Sequence, residues 1–188
     1  MTGRTSRPAA AGARNGRRSR PAIPDRVRWA VDFIDPAPHA RVLEIGCGPG
    51  AAAELICPRL TSGHLLAIDR SATAIQRTAE RNDQHVDAGR LHVRQCVLDT
   101  LDDAESGFDI AFSINVNLFW VRNPTPELAI LRRVIRPGGL LHVIYGTVQP
   151  TASDAAMAAI KQSVTANGFS DATVTYADAG TAVTARRT

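Results

Sequence analysis

The chain has 188 residues, of which 44% are hydrophobic and 21% are charged. This length can bury one sizeable core but is short for two, so we predict a single folded domain. No apolar run is long enough to span a bilayer, and no membrane partner is expected. Three cysteines without metal-ligand spacing favour a reducing, cytoplasmic setting over a disulfide scaffold.

Residues 1–24 differ from the rest in composition. They carry six arginines and no acidic residue, are rich in Ala, Gly, Pro and Ser, and lack the apolar stretch of a secretory signal. We predict a disordered arm over 1–24 and one domain over 25–188. The formal charge of the chain is +4, so subtracting the arm's +6 leaves the body at about −2. We therefore do not expect a nucleic-acid partner.

Helical and strand patterns alternate after the arm. Helices are predicted over 24–34, from 51, from 71, from 125 and over 153–166, and strands over 42–45, 65–68, 91–96, 108–114, 140–145, 172–176 and 182–185. In the helix from 125, Thr125 is the expected N-cap and the RPGG segment (136–139) the expected end. The last two strands read as an antiparallel hairpin. The alternation predicts an α/β, Rossmann-like fold with a mostly parallel sheet and helices on both faces.

The stretch RVLEIGCGPG, residues 41–50, closes the first strand with three glycines. Gly46, Gly48 and Gly50 have no Cβ, so the chain can turn sharply and a ligand can approach the backbone. The following helix directs its positive dipole end at the loop. The same pattern also fits a plain strand-to-helix turn, or a dinucleotide fingerprint if Ala51 replaces the third glycine.

Asp69 ends the second strand, 23 residues after Gly46. A carboxylate at this place can accept hydrogen bonds from both hydroxyls of a ribose, which predicts a nucleoside-containing ligand. The alternative is that Asp69 only caps the helix that begins near Ser71.

Four segments in this order resemble the Class I S-adenosylmethionine-dependent methyltransferase family: VLEIGCGPG, LLAIDRS, FDIAFSINV and LRRVIRPGGLLHV. The resemblance covers about residues 25–188. It rests most on Glu44 before Gly46, on Pro49, and on the helix-RPGG-strand element, a combination not expected in a nicotinamide-dependent dehydrogenase. It implies a seven-stranded sheet with an antiparallel C-terminal hairpin, S-adenosylmethionine as cofactor, and S-adenosylhomocysteine as product.

The resemblance also implies a role for each matching residue. Glu44 would hold the methionine end of the cofactor, and Asp69 the ribose hydroxyls, with Arg70 bordering the adenine. The other implied contacts are backbone of Gly46, Cys47, Gly48 and Gly50 to the methionine and ribose, Val97 and Leu98 beside the adenine, and Ile114 and Asn115 beside the transferable methyl.

One position departs from the family pattern. Val97 and Leu98 stand where many members have an acidic residue that meets the adenine amino group, and Asp99 follows two positions late. We expect apolar and backbone contacts to the adenine here, and the role of Asp99 stays open.

Methyl transfer from a sulfonium is an in-line displacement, so the protein mainly aligns the acceptor and excludes water. The five histidines lack paired ligand spacing, and no metal is expected. His142 and Tyr145, near the end of the fifth strand, could assist an acceptor O–H, although a structural role is the stronger expectation for His142. Asn117 and Trp120, with Phe119, stand where family members contact the acceptor.

The end of the fourth strand, SINV, lacks the Asn/Asp-Pro-Pro-Tyr/Phe signature of members that methylate base amino groups. We therefore predict metal-independent O- or N-methylation of a small-molecule acceptor. A short loop before residue 153 leaves the lid to the arm, the first helix or a second subunit, so a homodimer stays open. The rivals are a non-catalytic relative that binds the cofactor, a nicotinamide-binding oxidoreductase and, as a variant, a macromolecular acceptor guided by the arm.

Overall fold

The structure is a computed structural model that describes residues 21–101, 106–147 and 153–188. Most of the predicted arm, residues 1–20, and most of the predicted loop before residue 153 lie outside these ranges. The helices are α1 (Asp25–Ile34), α2 (Ala51–Ile56), α3 (Ala72–Arg81), α4 (Asp83–Asp87), α5 (Thr125–Val134) and α6 (Asp154–Ala166). The strands are β1 (Arg41–Ile45), β2 (His64–Asp69), β3 (Leu91–Gln95), β4 (Phe108–Ile114), β5 (Ile135–Gly146), β6 (Phe169–Ala177) and β7 (Gly180–Arg187).

The strands form one seven-stranded sheet in the order β3-β2-β1-β4-β5-β7-β6. Strands β1 to β5 pair in parallel, and β7 runs antiparallel to both β5 and β6. The predicted fold class is thus confirmed, including the reversed C-terminal hairpin. The strand order changes direction at β1 and β4, so a crevice forms beyond the carboxyl ends of these strands.

Two apolar cores cover the two faces of the sheet. Apolar side chains of α5 and α6 pack on one face, and those of α1 and α2 pack on the other. The four α1 positions that the helical period places inward are all buried: Val27, Ala30, Val31 and Ile34. Strands covered on both faces read as nearly continuous apolar runs, as β1 and β2 do.

The fifth strand begins earlier than the sequence indicated. The RPGG segment was expected to separate helix from strand, but β5 already begins at Ile135. Phe108 pairs with Ile135 and Ile110 with Leu140, so residues 136–139 form a bulge within the strand. Gly138 has a φ of +77°, a conformation that glycine adopts without strain.

Two further local predictions were incomplete. Thr125 is the first residue of α5 and not its N-cap, which is Pro124. The Thr125 backbone N–H and hydroxyl donate to the side-chain oxygen of Asn123, at 3.1 and 2.8 Å. Helix α4 was not predicted. Within the described residues, no helix is both long and apolar enough to cross a membrane.

Candidate functional site

Polar side chains collect at the carboxyl ends of β1, β2 and β4. Glu44 lies near the end of β1, Asp69 ends β2, and Asn115 directly follows β4. The glycine loop leaves β1 at the same edge. The sheet therefore brings together the residues that the sequence assigned to a ligand.

The three loop glycines all have a positive φ: +73° at Gly46, +53° at Gly48 and +75° at Gly50. A Cβ on Gly46 would come 2.6 Å from a methyl of Val116, and one on Gly50 would come 2.9 Å from the Cα of Thr78. A Cβ on Gly48 would meet nothing within 4 Å. Packing of the protein itself thus requires Gly46 and Gly50, whereas Gly48 faces the open space beside the loop.

Every backbone N–H of the loop is already used within the protein. Those of Gly46 and Cys47 donate to the carbonyl of Ile68, at 2.8 and 3.1 Å. Gly48 N donates to Asp69 Oδ2 and Gly50 N donates to the Cys47 carbonyl, at 3.0 Å each. Pro49, the remaining residue of the loop, has no N–H. The loop can therefore offer close approach and carbonyl oxygens to a ligand, but its N–H donors are taken.

The C-terminal end of α3 supports the loop through two polar side chains that the sequence analysis did not identify, one in the helix and one directly after it. The Thr78 hydroxyl donates to the Gly48 carbonyl at 2.9 Å, and the Asn82 amide donates to the Gly50 carbonyl at 3.1 Å. Both side chains are buried. Thr78 lies in the last turn of α3 and Asn82 is its C-cap residue, so their spacing of four residues places them on the same side of the helix end, a signal that the sequence does contain.

Asp69 holds the start of α3, as the capping alternative expected, and it also holds the glycine loop. Its Oδ1 accepts a hydrogen bond from Ser71 N at 2.9 Å, at the start of α3, and its Oδ2 accepts from Gly48 N at 3.0 Å. A carboxylate has about four lone-pair sites. Two of them remain for a ligand, and the side chain is partly exposed.

Glu44 is a buried carboxyl group that the residues described by the structure leave without a partner. The residue is 4% exposed, and Oε2 makes no hydrogen bond within the described part of the chain. Burial, and to a smaller extent the charge of Asp69, raise the pKa of Glu44 from 4.5 to about 8. A polar group left in this way destabilises the fold unless a ligand pairs with it. A cationic ligand group would satisfy it and favour its ionised form.

Cys47, next in the loop, is 4% exposed, and its sulfur lies 3.5 Å from the Thr78 hydroxyl. Burial, with the charge of Glu44, raises the pKa of the Cys47 thiol to about 12. A thiol in this state is a small packing group and a poor nucleophile.

The predicted adenine contacts divide by exposure. Val97 is 44% exposed at the site edge after β3, whereas Leu98 is 6% exposed with its side chain in the core under α5. Only the backbone of Leu98 is left for a ligand. Arg70 is exposed beside Asp69, and Asp99 is exposed beyond Leu98.

Asn115 joins the ends of β4 and β5. Its φ of +58° is unusual for a residue other than glycine. Its Oδ1 accepts a hydrogen bond from Gly146 N at 2.8 Å, and this fixes the orientation of the amide. The Nδ2 group makes no hydrogen bond within the described residues and is left as a donor at the site. Ile114, before it, is partly buried.

The four candidate catalytic residues do not form one group. Tyr145 donates its hydroxyl to the Val116 carbonyl at 2.6 Å. Burial raises the pKa of Tyr145, and a hydrogen bond with Trp120 only partly opposes this. Trp120 is 39% exposed beside it, and Asn117 is also exposed. Phe119 is buried in the core and unavailable to an acceptor.

His142 lies on the other face of the sheet. Its ring stands edge-on to Phe33 of α1, with centroids 5.7 Å apart, and Nδ1 is 2.9 Å from the Thr184 hydroxyl. Burial lowers the pKa of His142 to about 4. The histidine is a packed sheet residue, in line with the structural role that was the stronger expectation.

Arg26, in the first turn of α1, was not singled out in the sequence. Its Cδ lies 2.6 Å from the place of a Cβ on Gly146, so the side chain crosses the carboxyl end of β5. Helical spacing puts Arg26, Trp29 and Phe33 on one face of α1, but only the fold shows that this face lies over β5 and β7.

Two cavities, of about 580 and 360 Å³, lie away from the glycine loop. The first is bordered by the last turns of α5 and α6, and the second by the first residues of β1 and β4 and by residues of β2 and β3. Ligands of open α/β sheets bind at the carboxyl ends of the strands. We therefore place the candidate site at Glu44, Asp69 and Asn115, and not in either cavity.

The sequence matches that of a family described as "Methyltransferase domain" over residues 42–139, which is just over half of the chain. Trans-aconitate 2-methyltransferase of Rhodopseudomonas palustris is 31% identical over 124 residues, 63% of this chain and 44% of the relative. Malonyl-[acyl-carrier protein] O-methyltransferase of Laribacter hongkongensis is 30% identical over 131 residues, 67% of this chain and 43% of the relative. The chain thus spans less than half the length of these relatives.

Among solved structures, a SAM-dependent methyltransferase from Aquifex aeolicus superposes with a TM-score of 0.71. The two sequences are 15% identical, and the superposition covers 88% of this chain and 91% of the other. A likeness at this identity concerns the fold alone, and it agrees with the seven-stranded sheet.

Proposed function

Because the chain belongs to the Class I S-adenosylmethionine-dependent methyltransferase family, we propose that it binds S-adenosylmethionine at the Glu44–Asp69 edge and methylates a small-molecule acceptor. The acceptor would attack the methyl carbon of the sulfonium in line, the methyl–sulfur bond would break, and S-adenosylhomocysteine would leave, with no metal taking part. The observation that carries the proposal is the buried carboxyl group of Glu44, whose Oε2 has no hydrogen-bond partner among the described residues.

Glu44 fits the amino-acid end of this cofactor. The methionine ammonium is a cation with several N–H donors, the kind of group that a buried carboxylate needs. The remaining lone pairs of Asp69 fit a ribose diol, and the exposed side chain of Val97 fits the face of an adenine. A nicotinamide dinucleotide would use Asp69 equally well but has no ammonium group for Glu44, which argues against the oxidoreductase alternative.

The site favours an acceptor that needs no base. Tyr145 keeps its proton because its pKa is raised, and its hydroxyl already donates to the protein. His142 has a pKa of about 4 and lies under α1, so it would be a weak base without access. A carboxylate acceptor is ionised at neutral pH and loses no proton when it is methylated.

We therefore propose a carboxylate oxygen as the reacting atom. The names of the two relatives contain trans-aconitate and a malonyl group, and both of these carry a carboxylate. In our proposal Asn115 Nδ2 supplies a donor beside the reacting groups, and Trp120 with Val116 forms the apolar wall that limits water.

The first experiment is a calorimetric titration with S-adenosylhomocysteine, with NAD as the comparison ligand. We expect micromolar binding of S-adenosylhomocysteine alone, and a Glu44→Gln variant that binds it at least tenfold more weakly. Binding of NAD alone would support the oxidoreductase instead.

The acceptor is then tested with a methyl-labelled donor and a panel of carboxylic acids, alcohols and amines that includes trans-aconitate. Transfer to carboxylic acids supports the proposal. Transfer only to alcohols or amines contradicts the choice of reacting atom. Tight binding of S-adenosylhomocysteine without transfer to any compound would favour the non-catalytic relative.

A further inference from the structure

A partly buried cation, Arg26, lies near the β5 side of the site. Arg26 crosses Gly146, and the three atoms of its stem lie 2.6 to 3.4 Å from the place of a Cβ there. Arg26 makes no hydrogen bond or ion pair within the described part of the chain. Because a guanidinium has five N–H donors and keeps its charge, such a position favours an anionic partner.

The absence of a Cβ on Gly146 makes this placement possible. Any other residue at 146 would displace the stem of Arg26 from the end of β5. Gly146 N is held by Asn115 Oδ1 at 2.8 Å, so the strand end beneath Arg26 is fixed to the residue that follows β4. The arginine side chain is thus anchored beside the residue that we propose to border the transferred methyl.

The glycine loop, residues 46–50, offers no free N–H donor to an anionic group of the expected ligands. The N–H groups of Gly46, Cys47, Gly48 and Gly50 are all bonded to the protein. The carboxylate at the amino-acid end of the cofactor therefore finds no free N–H in this loop. A carboxylate on the acceptor also finds no free N–H in this loop.

We propose that Arg26 binds a carboxylate in the site, carried by the amino-acid end of the cofactor or by the methyl acceptor. This inference rests on the proposed function. The planar guanidinium matches a carboxylate through two parallel N–H···O bonds. A carboxylate held in this way has its charge neutralised and is a poorer nucleophile, so on an acceptor it is an orienting group and not the reacting one.

The test compares Arg26→Gln with Arg28→Gln, a matched variant on the same helix. Arg28 is exposed and also lacks a partner within the described residues. Both variants replace an arginine with a glutamine and therefore lose the same charge. Thermal unfolding of both checks that the fold is kept. Arg26→Lys, which keeps the charge but not the planar fork, is expected to retain only part of the binding.

The cofactor arm uses calorimetric titration with S-adenosylhomocysteine and with its decarboxylated analogue. If Arg26 binds the cofactor's carboxylate, Arg26→Gln weakens binding of S-adenosylhomocysteine by about tenfold to a hundredfold and leaves binding of the analogue unchanged. Arg28→Gln changes neither.

The acceptor arm titrates trans-aconitate into protein saturated with S-adenosylhomocysteine. If Arg26 binds the acceptor, Arg26→Gln weakens this binding alone. Unchanged binding in both arms overturns the inference while leaving the proposed function intact. A wild-type chain that fails to bind S-adenosylhomocysteine overturns both.

Discussion

Asp69 accepts a hydrogen bond from Gly48 N at 3.0 Å, so the end of β2 holds the middle of the glycine loop. The second oxygen of the same carboxylate holds Ser71 N at the start of α3. One side chain thus fixes the two segments that flank the proposed ribose position. A substitution at this residue acts on the ligand directly and through the loop.

Asp69→Ala is expected to weaken binding of S-adenosylhomocysteine by about 1 to 3 kcal/mol, because hydrogen bonds to a charged acceptor are lost. Calorimetry measures this change. The matched control is Asp99→Ala, which removes an equal charge from an exposed position near the proposed adenine. If both variants lose affinity to the same extent, the ribose is not bound at Asp69 alone.

The raised pKa of Glu44 predicts how the stability of the ligand-free chain depends on pH. Its folded pKa is raised from 4.5 to about 8, so between these values the folded chain holds a proton that the unfolded chain has released. The free energy of unfolding should therefore fall as pH rises through this window, by on the order of a few kcal/mol. Urea unfolding at several pH values should show this fall in the free energy of unfolding in the wild type and not in Glu44→Gln.

His142 contributes with the opposite sign. Its pKa is lowered from 6.5 to about 4, so its contribution to stability is present above pH 6.5 and is lost as the pH falls toward 4. The effect of Glu44 is therefore measured most cleanly between pH 6.5 and 8. A wild-type chain that gains stability over this interval would contradict the assignment of Glu44.

Ligand binding should release a proton from Glu44. A methionine ammonium placed against this carboxyl group favours its ionised form, so affinity for S-adenosylhomocysteine should increase as the pH rises toward 8. Titrations in buffers of different ionisation enthalpy count the proton. Glu44→Gln should bind more weakly and release none, whereas the same proton release in both variants would exclude Glu44 as its source.

Gly48 and Gly50 should respond differently to alanine. Both require a positive φ, which costs about 1 kcal/mol for alanine. Only at Gly50 would the added Cβ also press on a backbone atom of α3, at 2.9 Å. Gly50→Ala should therefore unfold at clearly lower urea concentration, while Gly48→Ala should lose mainly ligand affinity. Equal loss of stability would show that the loop is packed on both sides.

Tyr145→Phe tests whether the site uses a base. The variant leaves the Val116 carbonyl without its donor and should cost about 1 kcal/mol of stability. Turnover and its pH profile should stay close to those of the wild type. Loss of turnover by a hundredfold or more, with little change in stability, would identify Tyr145 as a catalytic residue.

The sequence predicted the elements whose residues agree with a single period. The buried residues of α1 and the bounds of β4 were predicted correctly, because each segment follows its own pattern without interruption. The start of β5 was predicted wrongly, since a bulge at RPGG looks like a turn when only the glycines and proline are considered.

The site divides in the same way. That Glu44 and Asp69 lie at one edge follows from the order of parallel strands. The separation of His142 from Tyr145 could also have been predicted, because residues an odd number apart on a regular strand point to opposite faces. Arg26 could not, since its position over Gly146 depends on how α1 packs across β5.

Val116 contacts both halves of the site. Its methyl group fills the space beside Gly46, and its carbonyl holds the Tyr145 hydroxyl. Substitutions that change the acceptor are therefore tolerated to different extents at residues 116–120. Asn117 and Trp120 are exposed and open to replacement, while a bulkier residue at 116 would press on the cofactor loop, so new specificities should arise around Val116 and leave it in place.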